Sequence, residues 1–166
     1  RGSSFGRFIS EQPSQINFEN ALGYKLILMN EREPKNIVIE HESRLIGRLD
    51  IPKPIYDNFE KGQLIILETP LETRVDITYD EYVSSALKSY TDEFKEVGAL
   101  KWAENINGSL DRIKKRLGSE RYLKLKMIFK EAFEEQLKSG ETDAHKAWIA
   151  ILLRDYYDPM YDYQIE

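Results

Sequence analysis

Cysteine is absent from this chain. A disulfide scaffold, a cysteine nucleophile and a thiolate metal site are therefore excluded from these residues, and the reducing cytosol is the natural setting. Histidine occurs only at positions 41 and 145, a spacing that does not suit a zinc site. No apolar run approaches the roughly 20 residues that cross a bilayer. The longest, residues 147–153, has the length of a buried helix segment. No secretory signal, internal repeat or low-complexity tract stands out. An excess of positive charge is lacking too: the net charge is −5, so the overall balance gives no support to nucleic-acid binding.

What is present is the composition of a globular protein, 166 residues with 41% hydrophobic and 32% charged side chains. The charge is uneven. Between Asp111 and Lys130 stand Arg112, Lys114, Lys115, Arg116, Arg121, Lys124, Lys126 and Lys130, against only Asp111 and Glu120. The opening RGSS reads as a cut end, engineered or proteolytic.

Apolar spacing sets the elements. Pro13-Ser14-Gln15 opens a helix whose Phe18, Leu22, Leu26 and Met29 recur at three and four. Residues 36–40 and 63–68 are short apolar runs rich in Ile, Leu and Val. Successive rather than alternate residues are apolar, which predicts strands buried on both faces, as in a parallel sheet covered by helices. Residues 44–49 form a small strand or turn, and 54–61 a short helix. Beyond Leu71 the pattern is helical, with helices near 71–77, 79–97, 104–117, 119–138 and 142–155, punctuated by Gly98, Gly108, Gly118 and Gly140. Two strands make a poor sheet, so further strands are expected outside these residues. The expected fold is α/β: an incomplete parallel sheet with helices over 1–78, then a mostly helical region over 79–166.

Five stretches have the residue types for binding. Arg1, Gly2, Ser3, Ser4 and Gly6 suit a phosphate: glycine lets the backbone approach, hydroxyls donate and arginine forks. Glu40, Glu42 and Ser43 end the first strand, where α/β sheets bind ligands. Arg74 follows the second strand and reaches the same edge, or makes an ion pair with Glu68 or Glu72. The basic segment, with Arg112, Lys114, Lys115, Arg116, Arg121 and Lys124, offers a phosphate backbone its counter-charge; a solvated helix face has the same composition. The tyrosine tail of 156–163 suits base stacking or an aromatic clasp. No catalytic residue and no metal ligand is assigned.

Taken together and in order, RGSSFG (1–6), QPSQINFEN (12–20), IEHESRLIG (39–47), ETPLETRV (68–75) and WIAILLRDYYDPMYDYQ (148–164) resemble the tRNA 2-selenouridine synthases over essentially the whole chain. The resemblance implies a rhodanese-like domain fused to a P-loop NTPase-like domain. It implies replacement of the sulfur of wobble 2-thiouridine by selenium, with selenophosphate as donor and a geranylated intermediate made from geranyl diphosphate. It implies tRNA as the partner, through its anticodon region, and admits a nucleotide and Mg²⁺. The family's cysteine and its G-x-x-x-x-G-K-[ST] turn are both absent here, so the fragment is expected to be inactive alone, without a membrane segment, cytoplasmic, and prone to pair with itself through an exposed sheet edge. Two other readings stay open: a non-catalytic P-loop-like domain that binds RNA or protein, and a small-molecule P-loop kinase.

Overall fold

In the computed structural model, which describes Phe5, residues 11–40 and residues 44–165, the chain divides into two units, residues 1–66 and 67–166.

The first unit is built on side-chain amides. Ser14 caps helix α1 (Gln15–Asn30), its hydroxyl accepting from the Asn17 N–H at 3.3 Å. A two-residue antiparallel hairpin follows, β1 (Leu45–Ile46) and β2 (Leu49–Asp50), turning at Gly47 with φ +64°. So short a ladder leaves backbone groups over, and two glutamines take them. Gln12 donates to the Ile46 carbonyl at 2.7 Å and accepts from Arg48 N–H at 3.1 Å. Gln15 donates to the Asp50 carbonyl at 2.8 Å and accepts from the Asp50 N–H at 3.0 Å. Each amide behaves as a peptide unit added to the hairpin. Arg44 forks onto Asp50 at 2.8 and 2.7 Å, and α2 (Lys53–Phe59) follows with Pro54 in its first turn.

The expected parallel sheet is not seen. Among the described residues the hairpin is the only sheet, and neither 36–40 nor 63–68 is a strand. Their side chains face solvent: Val38 is 81% exposed, Ile65 71% and Leu67 89%. The physical reason is pairing. An apolar run becomes a buried strand only beside other strands and under helices, and a two-residue hairpin supplies neither. Helix α1, too, has no buried residue, and Ile16, Tyr24 and Ile27 are exposed.

The second unit carries its own core. Its helices are α3 (Leu71–Tyr79), α4 (Ala86–Phe94), α5 (Gly98–Leu117), α6 (Ser119–Ser139), α7 (Lys146–Leu152) and α8 (Asp158–Ile165). Helix α5 shows the clearest stripe, burying Trp102, Ile106, Leu110, Ile113 and Leu117, and packs on α6, which buries Leu125, Phe129 and Ala132; Phe129 in turn meets Trp148 of α7, where Ile149 and Leu152 are buried as well. The stretch 147–153, expected to be a buried helix segment, is helical and buries Trp148, Ile149 and Leu152, while Ala147 is exposed. Two π-helical turns interrupt the regular winding, at Asp80–Ser85 and Leu153–Tyr157. The first is held from the core: the Trp102 indole donates to the Tyr82 carbonyl at 2.8 Å. Lys95, at φ +54°, reverses the chain between α4 and α5. Gly98 then sits so close to α4 that a Cβ there would lie 2.6 Å from the Thr91 Cα.

Candidate nucleic-acid interface

Of the phosphate-site residues, Arg1, Gly2, Ser3, Ser4, Gly6, Glu42 and Ser43 lie outside the described residues. Glu40 is exposed at the end of the apolar run in the first unit. Arg74 belongs to the second unit, in the first turns of α3, and is engaged there: its guanidinium forks onto Asp158 at the start of α8, with one of the two bonds at 2.9 Å. The carboxylate beside it raises the arginine's pKa further. The ion pair comes not from Glu68 or Glu72 but from the far end of the chain, and it closes α8 onto α3. Among the described residues no group of three His, Asp or Glu could hold a metal. Glu40 belongs to the first unit and Arg74 to the second, and no step of chemistry is assigned to either.

The basic segment gathers at one elbow. Lys114, Lys115 and Arg116 fill the last turn of α5, where the helix carbonyls favour positive charge. Gly118, at φ +78°, turns the chain without a side chain in the way, and α6 starts at once, bringing Arg121 and Lys124 back beside them. Lys115, Arg116, Arg121 and Lys124 are exposed. Lys114 lies 4.8 Å over the Tyr122 ring. The Tyr122 hydroxyl donates to Asp111 at 2.6 Å, which holds the Asp111 carboxyl below and the phenol above their ordinary pKa values. Lys126 also reaches Asp111, at 3.2 Å. Asp111 is thus taken up by Tyr122 and Lys126.

Arg112 is folded back. Its guanidinium donates to Ser109 at 2.6 Å, and Ser109, fully buried, donates to the Asn105 carbonyl. Arg121 reaches across to donate to the Asp155 carbonyl at 3.0 Å. Chemically the elbow can do one thing well, which is to hold anionic oxygens spaced along a surface.

His145 is sealed into the core at 0% exposure. The Trp148 indole donates to its Nδ1 at 2.9 Å, and its Nε2 faces the Gln136 Oε1 at 2.8 Å. With Nδ1 accepting, Nε2 carries the proton and donates. Trp102 meets the imidazole edge-on at 4.9 Å. Burial pushes its pKa down to about 4. This is a neutral, structural histidine rather than a ligand or a base.

The tyrosine tail divides. Tyr156 is buried and Tyr157 packs beside it at 4.9 Å, while Tyr161 and Tyr163 are 53% and 81% exposed. Among the described residues, no helix is long and apolar enough to cross a membrane.

The family model of the tRNA 2-selenouridine synthase AAA domain matches residues 1–166. The chain is 45% identical over 166 residues to a tRNA 2-selenouridine synthase of Sulfurovum sp. (strain NBC37-1), covering 100% of this chain and 46% of that protein. It is 45% identical over 166 residues to that of Alcanivorax borkumensis, covering 99% and 46%. For that of Hydrogenovibrio crunogenus the identity is 44% over 166 residues, covering 100% and 44%. The chain spans just under half the length of these relatives. No solved structure matches it significantly.

Proposed function

Because this chain belongs to the tRNA 2-selenouridine synthase AAA domain family, we propose that it is the tRNA-holding part of an enzyme that exchanges the sulfur of wobble 2-thiouridine for selenium. Selenophosphate is the donor in this reading, and geranyl diphosphate supplies the geranylated intermediate. The chain does not catalyse the exchange by itself, and works in the cytoplasm. The observation that carries the reading is the α5–α6 elbow, where Lys114, Lys115, Arg116, Arg121 and Lys124 meet on a chain whose net charge is negative. Concentrating cations on one surface of an acidic protein favours a polyanion there and repels it elsewhere. The exposed apolar runs 36–40 and 63–68 become strands of a parallel P-loop-type sheet when paired with the remainder of the protein. The phosphate-bearing substrates enter at the edge of that sheet, near Glu40.

The test is a titration of the chain with wobble-thiolated tRNA and with an unrelated RNA hairpin at several salt concentrations. Binding to the tRNA weakens as salt rises. Replacing Lys114, Lys115 and Arg116 together by alanine lowers the salt slope by roughly 2, about 0.7 for each phosphate that is no longer neutralised. Unchanged binding by that triple variant would show the elbow to be a solvated face.

A further inference from the structure

The surface beside the elbow holds a second cluster that sequence order hides. Asp155, in the π-helical turn before α8, is ringed by cations. Arg154 donates to its carboxylate from Nε at 2.6 Å and from Nη2 at 3.1 Å. Arg121 donates to its main-chain carbonyl. Hydrogen bonding from Arg154, with the charges of Arg154, Lys124 and Arg121, holds the Asp155 carboxyl below its ordinary range. Three cations around one carboxylate leave a surplus of positive charge, and Arg154 is itself 57% exposed at the side chain.

Helix α8 continues from this cluster and carries Tyr161 and Tyr163, which stand two residues apart and so face different sides of it. Tyr161 leans on Tyr157 at 6.5 Å and 25°, yet over half of it faces water, and Tyr163 is more exposed still. Tyr161 lies seven residues after Arg154, roughly 10 Å along a helix at 1.5 Å per residue. Cations followed by exposed aromatic faces are the arrangement that holds single-stranded nucleic acid, with phosphates on the charges and bases on the rings. A duplex does not suit it, because its base faces are stacked inside and its deep major groove is closed to side chains. An acidic protein segment would answer the cations but leave the rings without a use.

We infer that Arg154, with Arg121 and Lys124, holds backbone phosphates of an unpaired RNA segment that bends around α8, with one base stacking on Tyr161 and another on Tyr163. The inference rests on RNA as the partner proposed above and adds the element that is gripped. Asp155 tempers the site: it occupies Arg154 until a phosphate displaces it.

The experiment uses the full chain and fluorescence anisotropy, with a labelled single-stranded RNA and a duplex of equal length as probes, over a salt series. The single strand binds more tightly than the duplex. Arg154→Ala weakens binding and lowers the salt slope by about 0.7, and Arg154→Lys restores the slope. Tyr161→Ala with Tyr163→Ala weakens binding at an unchanged slope, by roughly five- to 150-fold for each stacked base lost. The matching phenylalanine variants restore it, because stacking needs the ring and not the hydroxyl. Asp155→Asn tightens binding. Equal affinity for duplex and single strand, an Arg154→Ala slope equal to that of the parent chain, or displacement of RNA by an acidic peptide that the tyrosine variants bind equally well would each overturn the inference. If these variants are silent while the Lys114, Lys115, Arg116 triple variant loses tRNA, this inference falls and the elbow reading stands. If the triple variant is silent too, both fall.

Discussion

The two units place their apolar residues oppositely. In residues 67–166, Trp102, Trp148, Phe129, Leu110 and Ile149 are at most 1% exposed, and Phe129 packs on both tryptophans. In residues 1–66, Leu49, Ile51 and Phe5 are buried, while Ile16, Tyr24, Ile27, Val38 and Ile65 face water. Both units are comparably rich in apolar side chains. What differs is the geometry each needs to bury them. Helices satisfy their own backbone, so α3–α8 close a core by packing alone. Strands need neighbours, so the apolar runs of the first unit wait for partners.

The largest expected effect comes from separating the units. Residues 67–166 alone should show helical circular dichroism and a cooperative melt, and remain monomeric by light scattering. Residues 1–66 alone should show no cooperative transition, and the full chain should self-associate through its exposed runs. A cooperative melt of residues 1–66 would break the comparison outright. Next come truncations of like kind. Trp102→Ala should cost about 3–5 kcal/mol in urea unfolding, as large core truncations do, whereas Ile27→Ala in α1 should stay within about 0.5 kcal/mol.

The pH dependence of the second unit follows from His145. Its folded pKa is depressed to about 4 from an ordinary 6.5. Between those values the unfolded chain binds the proton and the folded one does not. The stabilisation is therefore complete above pH 6.5 and is lost as pH falls towards 4, by up to about 3 kcal/mol. His145→Gln should flatten that slope in acid-unfolding curves. The smallest effect has opposite signs in the two units. Gly98→Ala drives a Cβ against Thr91 and the Tyr90 carbonyl and should cost about 1–3 kcal/mol. Gly23→Ala, in the middle of α1 with nothing within 4 Å, should stabilise by about 0.5–1 kcal/mol. Thermal melts of the two variants decide it.

The helical half was legible because its periodicity is its structure. The apolar spacing around Ser119–Lys138 gave α6 to within a residue, and the glycines at 98, 118 and 140 fall at helix ends, whereas Gly108, expected to punctuate the helices too, lies inside α5. The π-helical turns were not legible, since one extra residue in a winding leaves the apolar spacing nearly intact. Residues 36–40 and 63–68 read as strands because burial on both faces was inferred from composition, and composition does not say who the neighbours are. The QPSQ stretch stood out only as a landmark; the structure gives it a reason, with Gln12 and Gln15 serving as borrowed peptide groups. Among the site residues, the elbow was legible as a run of charge. Arg154 was missed because it ends an apolar stretch and meets Arg121 and Lys124 only through the fold. Arg74 had the right chemistry for phosphate and is engaged by Asp158, far beyond any local window.

Trp102 and Trp148 are the only tryptophans in the chain, and both sit against His145 in the second unit. Intrinsic tryptophan emission is therefore blind to one half of the molecule. An unfolding curve read at those wavelengths reports residues 67–166 and passes over any loosening of α1 or the hairpin. Eight of the ten tyrosines also lie in residues 67–166, so a signal from the first unit needs a chromophore placed there, and solvent-facing Tyr24 in α1 is the position to exchange for tryptophan.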